Sequence, residues 1–332
     1  MSKKKNPRQT PVKTGTTTLP SSPIFMRGPV PRSFMSWIRS DSFYYSCGLL
    51  IVCGVFLGFA LVHLGKFITT DETVWLHVRV QQYWHGLLTG DFEKTFVSGH
   101  PGIILSILAG ISGPFIRIED YTPLTIENYL FWWRMPGLVF NLFSLILIYK
   151  FIKELTDKNH ALLVTGLIAF TPVILGMSKI PNSDSYVWNT GFISILTFLL
   201  YLRTDCPRHV LYCGVSFGMS LLSKFAAASL YLFFFSYLYI GYLSNQYERE
   251  AFLKKSIGFL KVLLISWGVF ALLLPATLLN PRLIYEKTLG LMGDNIWNIF
   301  ILLIIIYSEA LVFKGRASGY IRSKIKFPVL IN

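Results

Sequence analysis

Charge is what this sequence has least of. Only 14% of its 332 residues are Asp, Glu, Lys or Arg, whereas 53% are hydrophobic. A soluble domain usually carries about 25% charge, so a solvated surface of ordinary extent is excluded. Cysteine is scarce as well. Cys47 and Cys53 lie inside the first apolar run, and Cys206 and Cys213 flank a helix start, which leaves no disulfide framework. The six histidines are scattered, and no pair has a metal-ligand spacing. The early apolar stretch of a cleaved leader is also missing. The first long one begins near Phe43 with no clear cleavage signal and reads as a retained signal anchor.

Acids are outnumbered by bases, 17 to 31, giving a formal net charge of +14. No basic stripe interleaves with stacking aromatics on a soluble module, which argues against a nucleic-acid partner. The charge sits instead in a basic tail, Lys3 to Lys5, Arg8 and Lys13, and in short clusters between apolar runs. There it meets anionic lipid headgroups and holds loops in the cytoplasm. The segment 1–40, rich in Lys, Arg, Pro, Ser and Thr, reads as a disordered basic cytoplasmic tail, and 321–332 as a cytoplasmic C-terminal tail.

What is abundant is uninterrupted apolar sequence. No Asp, Glu, Lys or Arg occurs in Phe43–Gly65, Ala161–Ser178, Ser185–Leu202, Phe225–Tyr247 or Val262–Pro281. A helix needs about 20 such residues to cross the hydrocarbon core. The chain is therefore read as an all-α polytopic membrane protein with its domain over 41–320. Nine apolar segments can be drawn: 43–67, 101–116, 130–152, 161–178, 185–202, 210–223, 225–244, 257–280 and 295–313. Nine crossings would put Lys150, Lys153, Lys158, Lys254, Lys255 and Lys261 outside, against the positive-inside rule. The segment 101–116 opens with His100-Pro101-Gly102, contains Gly110 and Gly113, and meets Pro114. Leaving it on the outer face gives eight crossings and returns every later basic cluster to the cytoplasm. The short segment 210–223 is the weakest of the eight.

In that arrangement the first outer loop spans 68–133. Asp71 and Glu72 open it, and Val74 to Val78 with Tyr83-Trp84 form an amphipathic surface stretch. Two acids at a helix mouth are either plain interface residues or a general base where a lipid-borne substrate meets a water-soluble one. Arg134 follows Phe131-Trp132-Trp133, as an interfacial anchor or as a cation for an anionic headgroup. Asp184, in Pro181-Asn182-Ser183-Asp184, suits a helix cap. Lys224 is bordered by apolar residues, where an ionisable group is a functional candidate or a snorkelling side chain.

This order of motifs resembles the multi-spanning glycosyltransferases that use polyprenyl- or dolichyl-phosphate sugars, and most nearly the protein O-mannosyltransferase and lipid A aminoarabinose transferase branch. The likeness covers about residues 45 to 285. It is carried by Asp71-Glu72 opening the first outer loop, His100-Pro101 in a Gly-His-Pro-Gly setting, Arg134 opening the next crossing, Ile180 to Asp184 in the second outer loop, and Gly218 to Phe225 around Lys224. The resemblance implies a GT-C-like helical bundle of about eight transmembrane helices with outer-face juxtamembrane helices. It implies inverting transfer of sugar from a lipid-phosphate carrier to a hydroxyl acceptor at the extracytoplasmic face. Asp71 would be the base, with Glu72 in support. Arg134 and Lys224 would hold the donor phosphate, and His100 and Asp184 would line the pocket.

No cofactor is implied beyond the lipid-linked donor, and two adjacent acids without a third ligand do not make a metal site. The implied partners are the polyprenyl-phosphate sugar, membrane lipids and the acceptor. Members of this class are usually longer, so the chain fits a compact member, a fragment, or a subunit completed by a membrane partner. The rival readings are a transporter or lipid flippase, which predicts ionisable groups near the midplane and internal repeats, and an inactive scaffold subunit, which predicts a damaged acid pair.

Overall fold

Helix α1 (Asp41–Leu61) is apolar on all sides. Leu50, Ile51, Val55 and Phe59 face outward, while Phe56, Ala60 and the following Leu64 pack with Leu138, Leu145 and Ala169. An outward row of large apolar side chains is what a lipid-facing helix presents. The computed structural model describes residues 41–99, 101–116, 122–244, 246–284 and 308. Among the described residues there are helices, turns and loops but no strand.

After α1 the chain forms a layer of short helices. These are α2 (Thr70–Val74), a π-helical turn at Trp75–Arg79, α3 (Val80–Thr89) and α4 (Ile103–Ile111). Helix α4 has nine residues. It rises about 13 Å, too short for a hydrocarbon core of about 30 Å. It packs flat on α3: the Trp84 indole fills the space beside Gly110 and donates to the Ser106 carbonyl at 2.9 Å. The layer is tied to the long helices by the Tyr83 hydroxyl donating to the Leu273 carbonyl at 2.8 Å and the Ala276 amide donating to Thr95 Oγ1 at 3.1 Å.

The long helices run between two ends. α5 (Ile126–Leu155) holds Pro136 within it, and its Gly137 lies against the Tyr186 hydroxyl. α6 (Lys158–Ala169) starts at Asp157, whose carboxylate accepts from the amides of Asn159 and His160 at 2.8 and 3.0 Å. It stops before Thr171 because Pro172 opens α7 (Pro172–Met177) and has no amide proton to continue the ladder. α8 (Ser183–Thr204) packs on α9 (Pro207–Ser223), which packs in turn on α11 (Arg249–Leu273); α10 (Ser229–Leu243) lies between them in sequence. Gly214 and Gly218, four apart, sit on Ile265, Ser266 and Val269 of α11. This small-xxx-small spacing lets two backbones approach in lipid, where dispersion replaces the hydrophobic drive.

One end carries Leu155, Asp205 and Lys255. Lys255 Nζ donates to Asp205 Oδ1 at 2.7 Å, Lys254 Nζ meets Oδ2 at 3.0 Å, and Arg203 caps the Leu155 carbonyl at 2.5 Å. Burial works against the charge on Asp205, but hydrogen bonds from Lys255 and Lys254 and their charges outweigh it and hold the carboxyl below its usual range. Its folded value is depressed. The stability it contributes is therefore complete above the ordinary carboxylate pKa and is lost as pH falls through the folded one. The other end carries Glu72, Arg134, Asp184 and Lys224.

Five described helices are long and apolar enough to cross a membrane: Phe43–Leu61, Ile126–Leu155, Ser183–Thr204, Phe225–Leu243 and Arg249–Leu273. Eight crossings were expected from the sequence. The expected segment 161–178 is divided at Pro172, 210–223 lies in a helix of 17 residues, and 295–313 lies, apart from residue 308, outside the described residues.

Candidate functional site

The two neighbouring acids go to different places. Thr69-x-x-Glu72 has the pattern of a capping box, and the Thr69 amide donates to Glu72 Oε2 at 3.2 Å. That turns Glu72 inward, where its side chain is wholly buried beside an equally buried Arg134. Nε of Arg134 donates to Oε1 at 2.9 Å and Nη2 to Oε2 at 2.6 Å, a two-pronged pair. The same guanidinium donates to the carbonyls of Leu64 and Phe67 and lies over the Phe67 ring at 5.1 Å. These carbonyls lie in the turn and loop that follow α1, where no helical ladder supplies donors. Arg134 thus fastens the first helix, the start of the outer loop and α5 together. From the resemblance, Arg134 was expected at the donor phosphate and Glu72 beside Asp71 in its support. In the structure each has its charge engaged by the other and neither is open to the cavity described next.

Asp71 is exposed, and among the described residues its carboxylate has no hydrogen-bond or ionic partner. It lines a polar cavity of about 590 Å³ together with Thr69, Thr70, Trp75, Arg79, Ser98, the run Ile180–Asp184 and Lys224. The structure therefore brings Asp71, Asp184 and Lys224, distant in sequence, to one cavity. Lys224 is the residue at which α9 gives way to a 3-10 turn at Phe225–Ala228; its extended backbone aims the side chain back, and Nζ meets Asp184 Oδ1 at 2.6 Å. Asp184 is in the first turn of α8, with Asn182 rather than Asp184 as its cap.

Arg79 was not singled out from the sequence. It ends the π-helical turn, with its guanidinium 4.7 Å over the Trp75 ring and part of its surface open to the cavity. A π-turn within a helix often marks a functional site. The available signal was isolation, since Arg79 is the only charged residue between Glu72 and Asp91.

His100 lies outside the described residues, but its neighbour Gly102 is informative. Gly102 has φ +56°, and a Cβ there would fall 2.0 Å from the Trp75 ring. Its amide donates to the Ser223 carbonyl at 3.2 Å, one residue before Lys224. Gly102→Ala is expected to cost about 1–3 kcal/mol through crowding in a packed site, read as a lower thermal midpoint in detergent. An unchanged midpoint would remove the Trp75–Gly102 contact as a determinant of this corner.

Among the described residues no group of three His, Cys, Asp or Glu side chains is arranged to hold a metal ion. Ala226 and Ala227, which follow Lys224 in the chain, line a second, apolar cavity of about 470 Å³ together with Ile168, Val187, Trp188, Phe192 and Leu230. The buried indole N–H of Trp188 has no hydrogen-bond partner among the described residues.

The helices and their outward apolar faces define an integral membrane protein of the polytopic all-α class. Residues 124–275, less than half of the chain, match the family described as dolichyl-phosphate-mannose-protein mannosyltransferase. Among curated proteins none matches the chain. The family match together with the helical architecture supports the broad GT-C-like class of polyprenyl-phosphate-sugar transferases. Arg134, Asp184 and Lys224 fall within the matched segment; Asp71, Glu72 and Arg79 precede it.

Proposed function

We propose that this chain transfers a sugar from a polyprenyl- or dolichyl-phosphate carrier to a hydroxyl acceptor at the extracytoplasmic face. The observation that carries the reading is the cavity in which Asp71, a carboxylate without a hydrogen-bond or ionic partner among the described residues, shares walls with two cations, Arg79 and Lys224. Asp71 accepts the proton of the acceptor hydroxyl. The hydroxyl oxygen attacks the anomeric carbon, the bond from that carbon to the phosphate oxygen breaks, and the carrier leaves as lipid phosphate. One displacement inverts the anomeric centre. Charge grows on the departing phosphate, where preorganised cations stabilise the transition state most.

Lys224, oriented by Asp184, and Arg79 serve that purpose; Glu72 and Arg134 position Asp71. The apolar cavity lined by Ala226 and Ala227 suits the first isoprene units of the carrier.

The test is transfer of label from a radiolabelled polyprenyl-phosphate sugar into membrane acceptors by the purified protein. Lys224→Met and Arg79→Met are each expected to lose about 10²-fold or more in turnover, the scale seen when one stabilising group is removed from developing charge. A well-folded wild type that consumes no donor would overturn the reading.

Eight crossings follow if α6 and α7 count as one bent crossing and α9 as another, with 295–313 as the last. Ion pairs support traversal by α9, since Asp205 next to its start meets Lys254 and Lys255 while Lys224 at its end meets Asp184. The Asp205 end, with Lys150, Lys153, Lys158, Arg203, Arg208 and Lys254, would be cytoplasmic, as would the tail 1–40. In sealed cells an impermeant thiol reagent is expected to label Ser183→Cys, and native Cys206 only after permeabilisation. The reverse pattern would invert the topology.

A further inference from the structure

At the Asp205 end, the first turns of α9 and residues 254–265 of α11 line a groove of about 480 Å³. Its chemistry is graded. Lys254 and Lys261 stand along it with Asp205, and Leu211, Ile257 and Leu264 continue it as an apolar channel. Positions 254, 257, 261 and 264 fall on one helical stripe, so lysine and aliphatic side chains alternate along a single face. Ile257 and Leu264 are 56% and 73% exposed, and Leu211 across the groove is 50% exposed. Exposed aliphatic walls of this kind are at home in acyl chains and poorly placed in water.

Among the described residues the positive charge along the groove is not fully balanced. Asp205 is already met by Lys255 at 2.7 Å and by Lys254 at 3.0 Å. Those three groups together carry one net positive charge. Lys261 adds another, is exposed, and has no hydrogen-bond or ionic partner among the described residues. Seven residues beyond Lys254, it sits about 10 Å further along the helix, within the span Arg249–Leu273. A lysine placed that far into an apolar face is costly without an anion. Its side chain slants toward the helix N-terminus, hence toward Lys254.

From these observations we infer that this groove is a binding site for one anionic phospholipid. The headgroup phosphate sits between Lys254 and Lys261, and one acyl chain lies along Leu211, Ile257 and Leu264. The site requires only that the chain spans a membrane, and is independent of the sugar-transfer reading.

The experiment is native mass spectrometry of the purified full chain in mild detergent, titrated with dioleoyl phosphatidylglycerol or dioleoyl phosphatidylcholine. Wild type is expected to retain one phosphatidylglycerol with at least about tenfold preference over phosphatidylcholine, since basic side chains favour a headgroup of net negative charge. Lys261→Gln is expected to remove most of that preference. Leu264→Trp, which fills the apolar part, is expected to weaken retention of the lipid. Lys153→Gln, an exposed lysine at the same end but outside the groove, is the control for unspecific attraction and is expected to keep the preference.

Three results would overturn the inference. One is equal retention of the two lipids by wild type. Another is an equal loss in Lys153→Gln and Lys261→Gln. The third is displacement of the lipid by millimolar inorganic phosphate, which would mean that the groove holds a free anion and the aliphatic walls take no part. Thermal midpoints measured alongside separate lost binding from lost folding. Donor consumption by Lys261→Gln is expected to be that of wild type at saturating donor. That distinguishes failure here from failure of the transferase reading.

Discussion

Asp71→Asn is expected to insert, fold and bind donor lipid as the wild type does, while transferring sugar about 10²–10⁴-fold more slowly, the span typical of a lost general base. Asparagine keeps the size of the side chain and one acceptor oxygen. It removes only the ability to take a proton. Because Asp71 is exposed and without a hydrogen-bond or ionic partner among the described residues, nothing in the described packing depends on its charge, and the stability read from thermal unfolding should stay within about 0.5 kcal/mol of the wild type. The two readouts are therefore expected to separate: turnover collapses while stability and donor retention hold. Turnover within threefold of wild type in a properly folded Asp71→Asn would end the general-base assignment.

The opposite separation is expected one residue further on. Arg134→Met leaves the Glu72 carboxylate buried with no cation, and strands the Leu64 and Phe67 carbonyls. Breaking a buried pair by removing one partner costs about 3–5 kcal/mol, a large share of the stability of any domain. The variant is expected to give little folded protein, with a sharply lower thermal midpoint. Arg134→Lys should recover only part, since lysine keeps the charge but lacks the two-pronged fork.

In Glu72→Leu/Arg134→Met the unpaired charge is gone, though the two carbonyls are still unmet, and the double variant should be more stable than Arg134→Met alone. Midpoints for the wild type, both single variants and the double variant make a double-mutant cycle that isolates the pair. An Arg134→Met protein of wild-type stability that has lost donor binding would return Arg134 to the phosphate.

How far the sequence reached is clearest at this acid pair. Adjacent residues on a helix point about 100° apart, so Asp71 and Glu72 were never equivalent. The capping-box spacing from Thr69 to Glu72 says which one turns in. The short 101–116 piece is set apart from the long helices by the pattern of charge in the sequence, and in the fold its apolar helix is indeed a short one. The meeting of Asp184 with Lys224 was not legible in that way, because a contact across 40 residues leaves no trace in hydrophobic period. Nor was the partner of Arg134, which is set by where the chain bends after α1. The break at Pro172 was written plainly in the sequence, as proline opening a helix usually is, but an unbroken run of apolar residues hid it.

The π-helical turn at Trp75–Arg79 changes which face of the surface helix each later residue occupies. Two α-turns after Glu72, position 79 would come round to the same inward side as the buried acid. The wider turn delays the chain by nearly one residue, so the inward place passes to Val80, which is 4% exposed. Arg79 is left at the rim with water on one side. A frame shift of a single position thus keeps a guanidinium out of the core without shortening the helix. Any alignment that follows the hydrophobic rhythm straight through 70–89 will read the second half one residue out of step.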